Sequence, residues 1–268
     1  AAPCPPSWDG AVPLTLALAV DLALCHNPQV HGAWAGIRQQ AAGLGEARAA
    51  YLPTLNAGLS RVHDRTAYPG ADTAASSLNS NTASLNFSWR LFDFGGRAAG
   101  QRSAQALLDA ALASHDAVLQ QTLATTVSAY VDAQTAQAST RMRREYQALA
   151  QETVAATRRR AERGLGSRSD TLQAESALAK AALGASRADG DYAKARAVLI
   201  YALGLPAGAS VTVADDAHVP AAGQRADLQA WLGQAQARHP AIVAARAQLA
   251  AARERVDMVR SEGRPSID

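Results

Sequence analysis

Side chains able to do chemistry are few in this sequence, and their spacing restricts what they can do. Cys4 and Cys25 allow one possible disulfide and no metal-ligand pattern. In an oxidising compartment they would staple the N-terminal segment; otherwise they are two free thiols. His26, His31, His63, His115, His218 and His239 include no i, i+4 pair and no cysteine or carboxylate cluster at zinc spacing. The arginines are grouped, as Arg141, Arg143, Arg144 and as Arg158, Arg159, Arg160, Arg163. Interleaved aromatics are missing apart from Tyr146, and Glu162, Asp170 and Glu175 lie nearby, so solvated helix faces or inter-helix ion pairs explain them better than nucleic-acid binding. Gly95-Gly96 would suit a phosphate-binding turn at a helix start, but without a βαβ unit around it a hinge is the better reading. No nucleophile elbow, phosphate loop or carboxylate pair on a defined scaffold is visible. We therefore expect no catalytic residue, no metal, no cofactor and no enzyme.

Composition points to the elements instead. Of the 268 residues 48% are hydrophobic but only 5% aromatic, and close to a quarter are alanine, so most apolar material is small. That disfavours a β-sandwich or compact α/β enzyme and favours closely packed long helices. Net charge is +3 and Lys180 and Lys194 are the only lysines, which is no polybasic signature. No run approaches the ~20 apolar residues of a membrane-spanning helix. The opening Ala-Ala-Pro-Cys is what a mature exported protein shows after cleavage behind small residues.

Prolines are absent between Pro69 and Pro206. Inside that window Leu108, Leu112, Leu119, Leu123, Val127, Tyr130 and Ala133 recur at helical spacing. A helix from about residue 97 to 163 would hold roughly 67 residues and extend about 100 Å, far beyond a globular domain, so it belongs in a coiled-coil-like assembly. A second helix is expected over 169–203, with Gly184 and Gly190 as points of weakness. Between them Arg163-Gly164-Leu165-Gly166-Ser167 reads as a tight turn, glycine supplying positive φ and Ser167 or Ser169 the cap. The pair forms a long antiparallel hairpin. Gly204-Leu205-Pro206 stops it, and a linker follows with one β-like run, Ser210-Val211-Thr212-Val213.

Ahead of the hairpin, Ala83, Leu85, Phe87, Trp89 and Leu91 alternate with Thr82, Ser84, Asn86, Ser88 and Arg90, which is a strand with one apolar and one polar face. Leu55, Ala57 and Leu59 mark a weaker first strand, and residues 64–81 read as an exposed loop. A soluble hairpin packed on a helix would fit. So would an outer-membrane barrel strand, with Leu85, Phe87, Trp89 and Leu91 facing lipid and Asn86, Ser88 and Arg90 facing the lumen. Two strands cannot close a barrel, so partners from other copies or further sequence are required.

The chain also repeats itself. Pro28 and Pro240 are 212 residues apart, as are Pro53 and Pro265, Leu16 and Leu228, and Arg48 and Arg260. The expectation is one repeat and the opening of a second in a longer protomer of about 424 residues. The segments are then an N-terminal helical part (1–50), a β-hairpin with exposed loop (51–94), the long helical hairpin (95–205), a linker (206–226) and the start of the second repeat (227–268).

This order of elements resembles the TolC family of outer-membrane channels. The run from Leu14 through Cys25-His-Asn-Pro28 is similar to the family's opening helix, and Ala49-Ala-Tyr-Leu-Pro53 to the approach to its first strand. Ser88-Trp-Arg-Leu-Phe92-Asp93-Phe-Gly95-Gly96-Arg97 resembles its strand-to-helix junction, and Gly164-Leu165-Gly166-Ser167 its helix tip. The resemblance implies a mainly α fold with a membrane β-hairpin, the long helical hairpin lining a periplasmic tunnel and the strands entering a trimeric β-barrel. It implies a homotrimer in the outer membrane with a periplasmic extension, acting as a passive duct. Its partners would be outer-membrane lipid, a periplasmic adaptor docked at Gly164, Leu165, Gly166 and Ser167, an inner-membrane transporter of the ABC type and the exported cargo, with no nucleic acid. Within the family the alanine bias and the preference for arginine over lysine resemble a component of type I toxin secretion. A drug or metal efflux channel is the alternative inside the family, and a soluble coiled-coil scaffold the alternative outside it.

Overall fold

A computed structural model of the chain describes residues 4, 10, 12–66, 76–215 and 228–267. In chain order its elements are α1 (Leu16–His26), α2 (Pro28–Ala49), β1 (Thr54–Thr66), β2 (Ser76–Ser88), α3 (Gly96–Glu162), α4 (Arg168–Ala202), α5 (Leu228–Arg238) and α6 (Pro240–Glu262). Within the proline-free stretch α3 is one continuous helix of 67 residues. The 35-residue α4 runs through Gly184 and Gly190 unbroken; each glycine costs about 1 kcal/mol against alanine, too little to interrupt a helix held by packing along its length.

The chain divides into two compact units, Ala1–Ala35 with Ser114–Pro240, and Gly36–Ala113 with Ala241–Asp268. In the first, α3 and α4 pair antiparallel. Thr140 donates to the Ala188 carbonyl at 2.9 Å, and Arg144 bridges Asp189 at 2.9 Å. Ala181, Ala185 and Ala188 of α4 are buried at helical spacing, so small side chains sit where the helices approach. The core gathers Leu22 and Ala23 of α1, Tyr130 and Ala133 of α3, Leu199 and Leu203 of α4, and Val211 and Val213 beyond it. The β-like run of the linker forms no strand. It contributes one parallel bridge, Val213 to Leu14, with Leu14 N–H donating to Thr212 and Ala214 N–H to Leu14. The Tyr130 hydroxyl donates to the same Leu14 carbonyl at 3.1 Å, which satisfies a buried phenol. Residues 216–226 of the expected linker lie outside the described residues.

Asn27 organises the neighbouring corner of that unit. Its side-chain oxygen caps α2 by accepting the Gln29 N–H at 2.8 Å, its amide donates to the Ala202 carbonyl at 3.0 Å, and Pro28 occupies the first helical position, where no N–H is needed. Cys4 and Cys25 are joined, with Cα atoms 5.7 Å apart.

In the second unit, Arg102 of α3 bridges Glu254 of α6 at 2.8 Å, and Ser103 donates to the Ala251 carbonyl. The internal repeat appears as helices: α5 and α6 begin at Leu228 and Pro240, displaced by the same 212 residues from the starts of α1 and α2.

β1 and β2 pair antiparallel from Thr54↔Ser88 to Thr66↔Ser76. Both strands are longer than expected. Residues 64–66 and 76–81, read from sequence as loop, are strand, whereas residues 89–91, read as strand, lie past the end of β2. Residues 67–75 of that loop lie outside the described residues. Leu55 faces Phe87, Ala57 faces Leu85 and Leu59 faces Ala83, so the alternating apolar residues of both strands share one face, with Asn56↔Asn86 and Thr54↔Ser88 on the other. Every described side chain of the two strands is exposed, Phe87 at 63% and Leu85 at 72%. Among the described residues the hairpin therefore does not rest on a helix.

Candidate functional site

Two places built by the ends of α3 hold most of the residues singled out by sequence. The first is the strand-to-helix junction. After Leu91, Phe92 pairs with Ile267 through an antiparallel bridge, the Leu91 and Phe92 N–H groups donating to the Ile267 carbonyl. The backbone then reverses through two left-handed residues, Phe94 (φ 50°) and Gly95 (φ 91°). Gly95 has open space around it, whereas a Cβ on Gly96 would meet the Ser261 hydroxyl of α6. Only one glycine of the pair thus serves the turn; the other admits a neighbouring helix.

Asp93 starts α3. One carboxylate oxygen accepts the Arg97 N–H at 2.8 Å and the Arg97 Nε at 2.9 Å, and the other accepts the Gly95 N–H. Partial burial alone would raise the Asp93 pKa, but the Arg97 N–H and guanidinium, with the Gly95 N–H, outweigh it and hold the carboxyl below its ordinary value. Arg97 then spans the junction. Its guanidinium donates to the Arg90 and Leu91 carbonyls and lies over the Tyr51 ring, 4.8 Å from the centroid. Trp89 donates from its indole to the Tyr51 carbonyl at 3.1 Å, so the ends of both strands are tied to the start of α3. Phe92 and Phe94 meet edge-on, and Arg264 lies over Phe94. Sequence reasoning did not find Tyr51, Ser261 or Arg264 as parts of this site.

The second place is the tip between α3 and α4. Gly164 has φ 70°; its N–H donates to the Ala161 carbonyl, and the Leu165 N–H reaches back to the Arg160 carbonyl. These are the two bonds of a Schellman motif. A Cβ on Gly166 would come within 3.2 Å of the Arg160 Cβ, so both glycines are explained by closure of this hairpin. Ser167 caps α4 in a reciprocal capping box with Asp170. Arg158 donates from Nε to Glu175 at 3.1 Å, bridging the two helices just above the turn.

The same motif ends α4. Gly204 has φ 70°, its N–H donates to Tyr201, and the Leu205 N–H donates to Ile200. There the usual apolar contact of the motif has its partners: Ile200 is buried and Leu205 packs against the core. At the tip the residue in the Ile200 place is Arg160, and Leu165 stays 77% exposed. The tip therefore projects a leucine that the fold does not use.

Among the described residues no group of three or more His, Cys, Asp or Glu side chains converges on a metal-sized site, and no helix is long and apolar enough to cross a membrane. Residues 19–205 match the outer membrane efflux protein family. The chain belongs to that family. Among the family's relatives it is similar to Protein CyaE of Bordetella pertussis, with 40% identity over 268 residues, 99% of this chain and 56% of the relative. It spans about half the length of that relative. In fold it is similar to the outer-membrane channel OprN, with TM-score 0.74 at 23% identity over 94% of this chain and 56% of the other. The CmeC outer-membrane channel of Campylobacter jejuni gives TM-score 0.76 at 20% identity, over 94% of this chain and 54% of that one. The resemblance to TolC-like channels is thus borne out, and among the described residues the fold is mostly helical with one two-stranded antiparallel sheet.

Proposed function

We propose that this protein is the outer-membrane duct of a tripartite export system, in which three copies assemble and β1 and β2 enter a shared barrel. The observation that carries the proposal is the hairpin itself: a sheet exposed on both faces, with paired apolar residues on one side and Thr, Ser and Asn on the other, borne by a 67-residue helix. In water such a sheet has unpaired edges and an uncovered apolar face. In a barrel, Leu85 and Phe87 face lipid and Asn86 and Ser88 line the lumen, while Trp89, Arg90 and Leu91 lie past the end of β2 at the strand-to-helix junction. The 13 residues of β2, at ~3.3 Å per residue and a tilt of about 40°, rise about 30 Å, enough to cross the ~25 Å apolar band of such barrels.

In this reading α3 and α4 form a periplasmic tunnel wall, and Gly164, Leu165, Gly166 and Ser167 receive the tip of a periplasmic adaptor that links the duct to an inner-membrane ABC transporter. Likeness to Protein CyaE over nearly the whole chain, together with the sequence resemblance to type I secretion components, directs the cargo reading to a protein toxin. Fractionating cells that make the protein in its native form tests the location: it should float with outer membranes and need detergent for release, and recovery in the soluble fraction would sink the reading. Deleting its gene tests the cargo. Toxin should be retained in the cell with drug and metal tolerance unchanged, whereas the reverse pattern would assign the duct to efflux of small molecules.

A further inference from the structure

The tip is charged as well as apolar, and its charge is unspent. Residues 158–170 hold five arginines against Glu162 and Asp170, an excess equal to the +3 of the entire chain, so the remainder is balanced. Arg158 is used within the hairpin on Glu175, and Asp170 is used in the capping box. Arg159, Arg160, Arg163 and Arg168 are exposed, and among the described residues they have no hydrogen-bond or ion-pair partner. Arg159 and Arg160 lie in the last turn of α3, where cations stabilise the helix by a few tenths of a kcal/mol. Arg168 begins α4, where the helix dipole disfavours a cation. Helix stability therefore does not account for the set.

Resting on the docking reading above, we propose that Arg159, Arg160, Arg163 and Arg168 form a basic collar around Leu165 that selects a partner hairpin tip carrying carboxylates. Leucine supplies the apolar contact, and the arginines set partner choice and encounter rate, as charges at the rim of an interface do. Guanidinium groups suit this role because they hold carboxylates bidentately and are weakly hydrated.

The test uses the native protein in cells, with a benzophenone photo-cross-linking residue in place of Ser169. Mass spectrometry then identifies the captured segment. The expected result is a helical-hairpin segment with at least two Asp or Glu residues at its turn. Capture should fall at least tenfold when Arg159, Arg160, Arg163 and Arg168 are all replaced by Glu, and by a smaller factor when all four are replaced by Lys, which keeps the charge and loses the bidentate fork, with the trimer intact on native gels throughout. Capture of a neutral or basic tip, or capture indifferent to the Glu replacements, would overturn the collar and leave docking standing. Capture of no protein would remove both. Arginine-dependent binding of the purified protein to phosphatidylglycerol vesicles, with no protein capture, would reassign the arginines to anionic lipid.

Discussion

The two turns built by the ends of α3 use the same parts and come out opposite. At each, one glycine takes a left-handed conformation in open space, Gly95 and Gly164, and a second gives room to a close neighbour, Gly96 to Ser261 and Gly166 to Arg160. At each, an aspartate accepts backbone N–H groups at a helix start, Asp93 for α3 and Asp170 for α4. The difference lies in what the arginines do. Arg97 is mostly shielded and spends its donors on Asp93 and on two carbonyls; the tip arginines, Arg158 apart, spend theirs on nothing among the described residues. A turn whose cation is consumed inside is a joint; one whose cations are left outside is, on the docking proposal, a surface offered to a partner.

The largest expected effect that would break this contrast is on export. Leu165→Asp at the tip should reduce export to background while the trimer's thermal unfolding temperature stays within a degree, since an exposed substitution costs less than about 0.5 kcal/mol; undiminished export in a secretion assay would refute the docking role. Next is Arg97→Ala, which strands the Asp93 carboxylate and two carbonyls and should cost about 3 kcal/mol in denaturant unfolding, against less than about 0.5 for Arg163→Ala. Equal costs would abolish the distinction between joint and surface. Gly95→Ala and Gly164→Ala should each cost about 1–2 kcal/mol and agree closely, because both meet left-handed strain without a clash. Ser167→Ala should cost about 1 kcal/mol, read as faster amide exchange confined to the first turn of α4.

The smallest effect is on pH. The folded-state pKa of Asp93 lies below its unfolded value, so its contribution is fully present above the unfolded pKa of about 3.9 and is lost as pH falls through the lower folded value. Asp93→Asn should remove this part of the acid sensitivity, measured as unfolding temperature between pH 5 and 2.

How much of this was legible follows from the range of the signals. Helix lengths were, because the proline gap and the leucine spacing are local properties, and so was the repeat, whose proline pairs fixed the register of α5 and α6. Strand extent was not. Arg61, His63 and Arg65 pair with Asn81, Asn79 and Ser77, and polar residues on both faces leave no alternation to read. The junction motif was visible as Asp93, Gly95, Gly96 and Arg97, but the partners that give Arg97 its purpose are backbone carbonyls and a tyrosine far back in the chain, which no residue pattern encodes. The exposure of Leu165 was expected, while its reason, the replacement of an apolar partner by Arg160, needed the comparison with Ile200 and Leu205 at the end of α4.

The most direct measurement of the central claim is electrical: the protein as its cell makes it, purified in detergent and added to a planar lipid bilayer. The account predicts discrete conductance steps that scale with insertion of one trimer and change ion selectivity when Asn86 and Ser88 are exchanged for Glu. A preparation that leaves the bilayer silent while remaining folded and trimeric would contradict it.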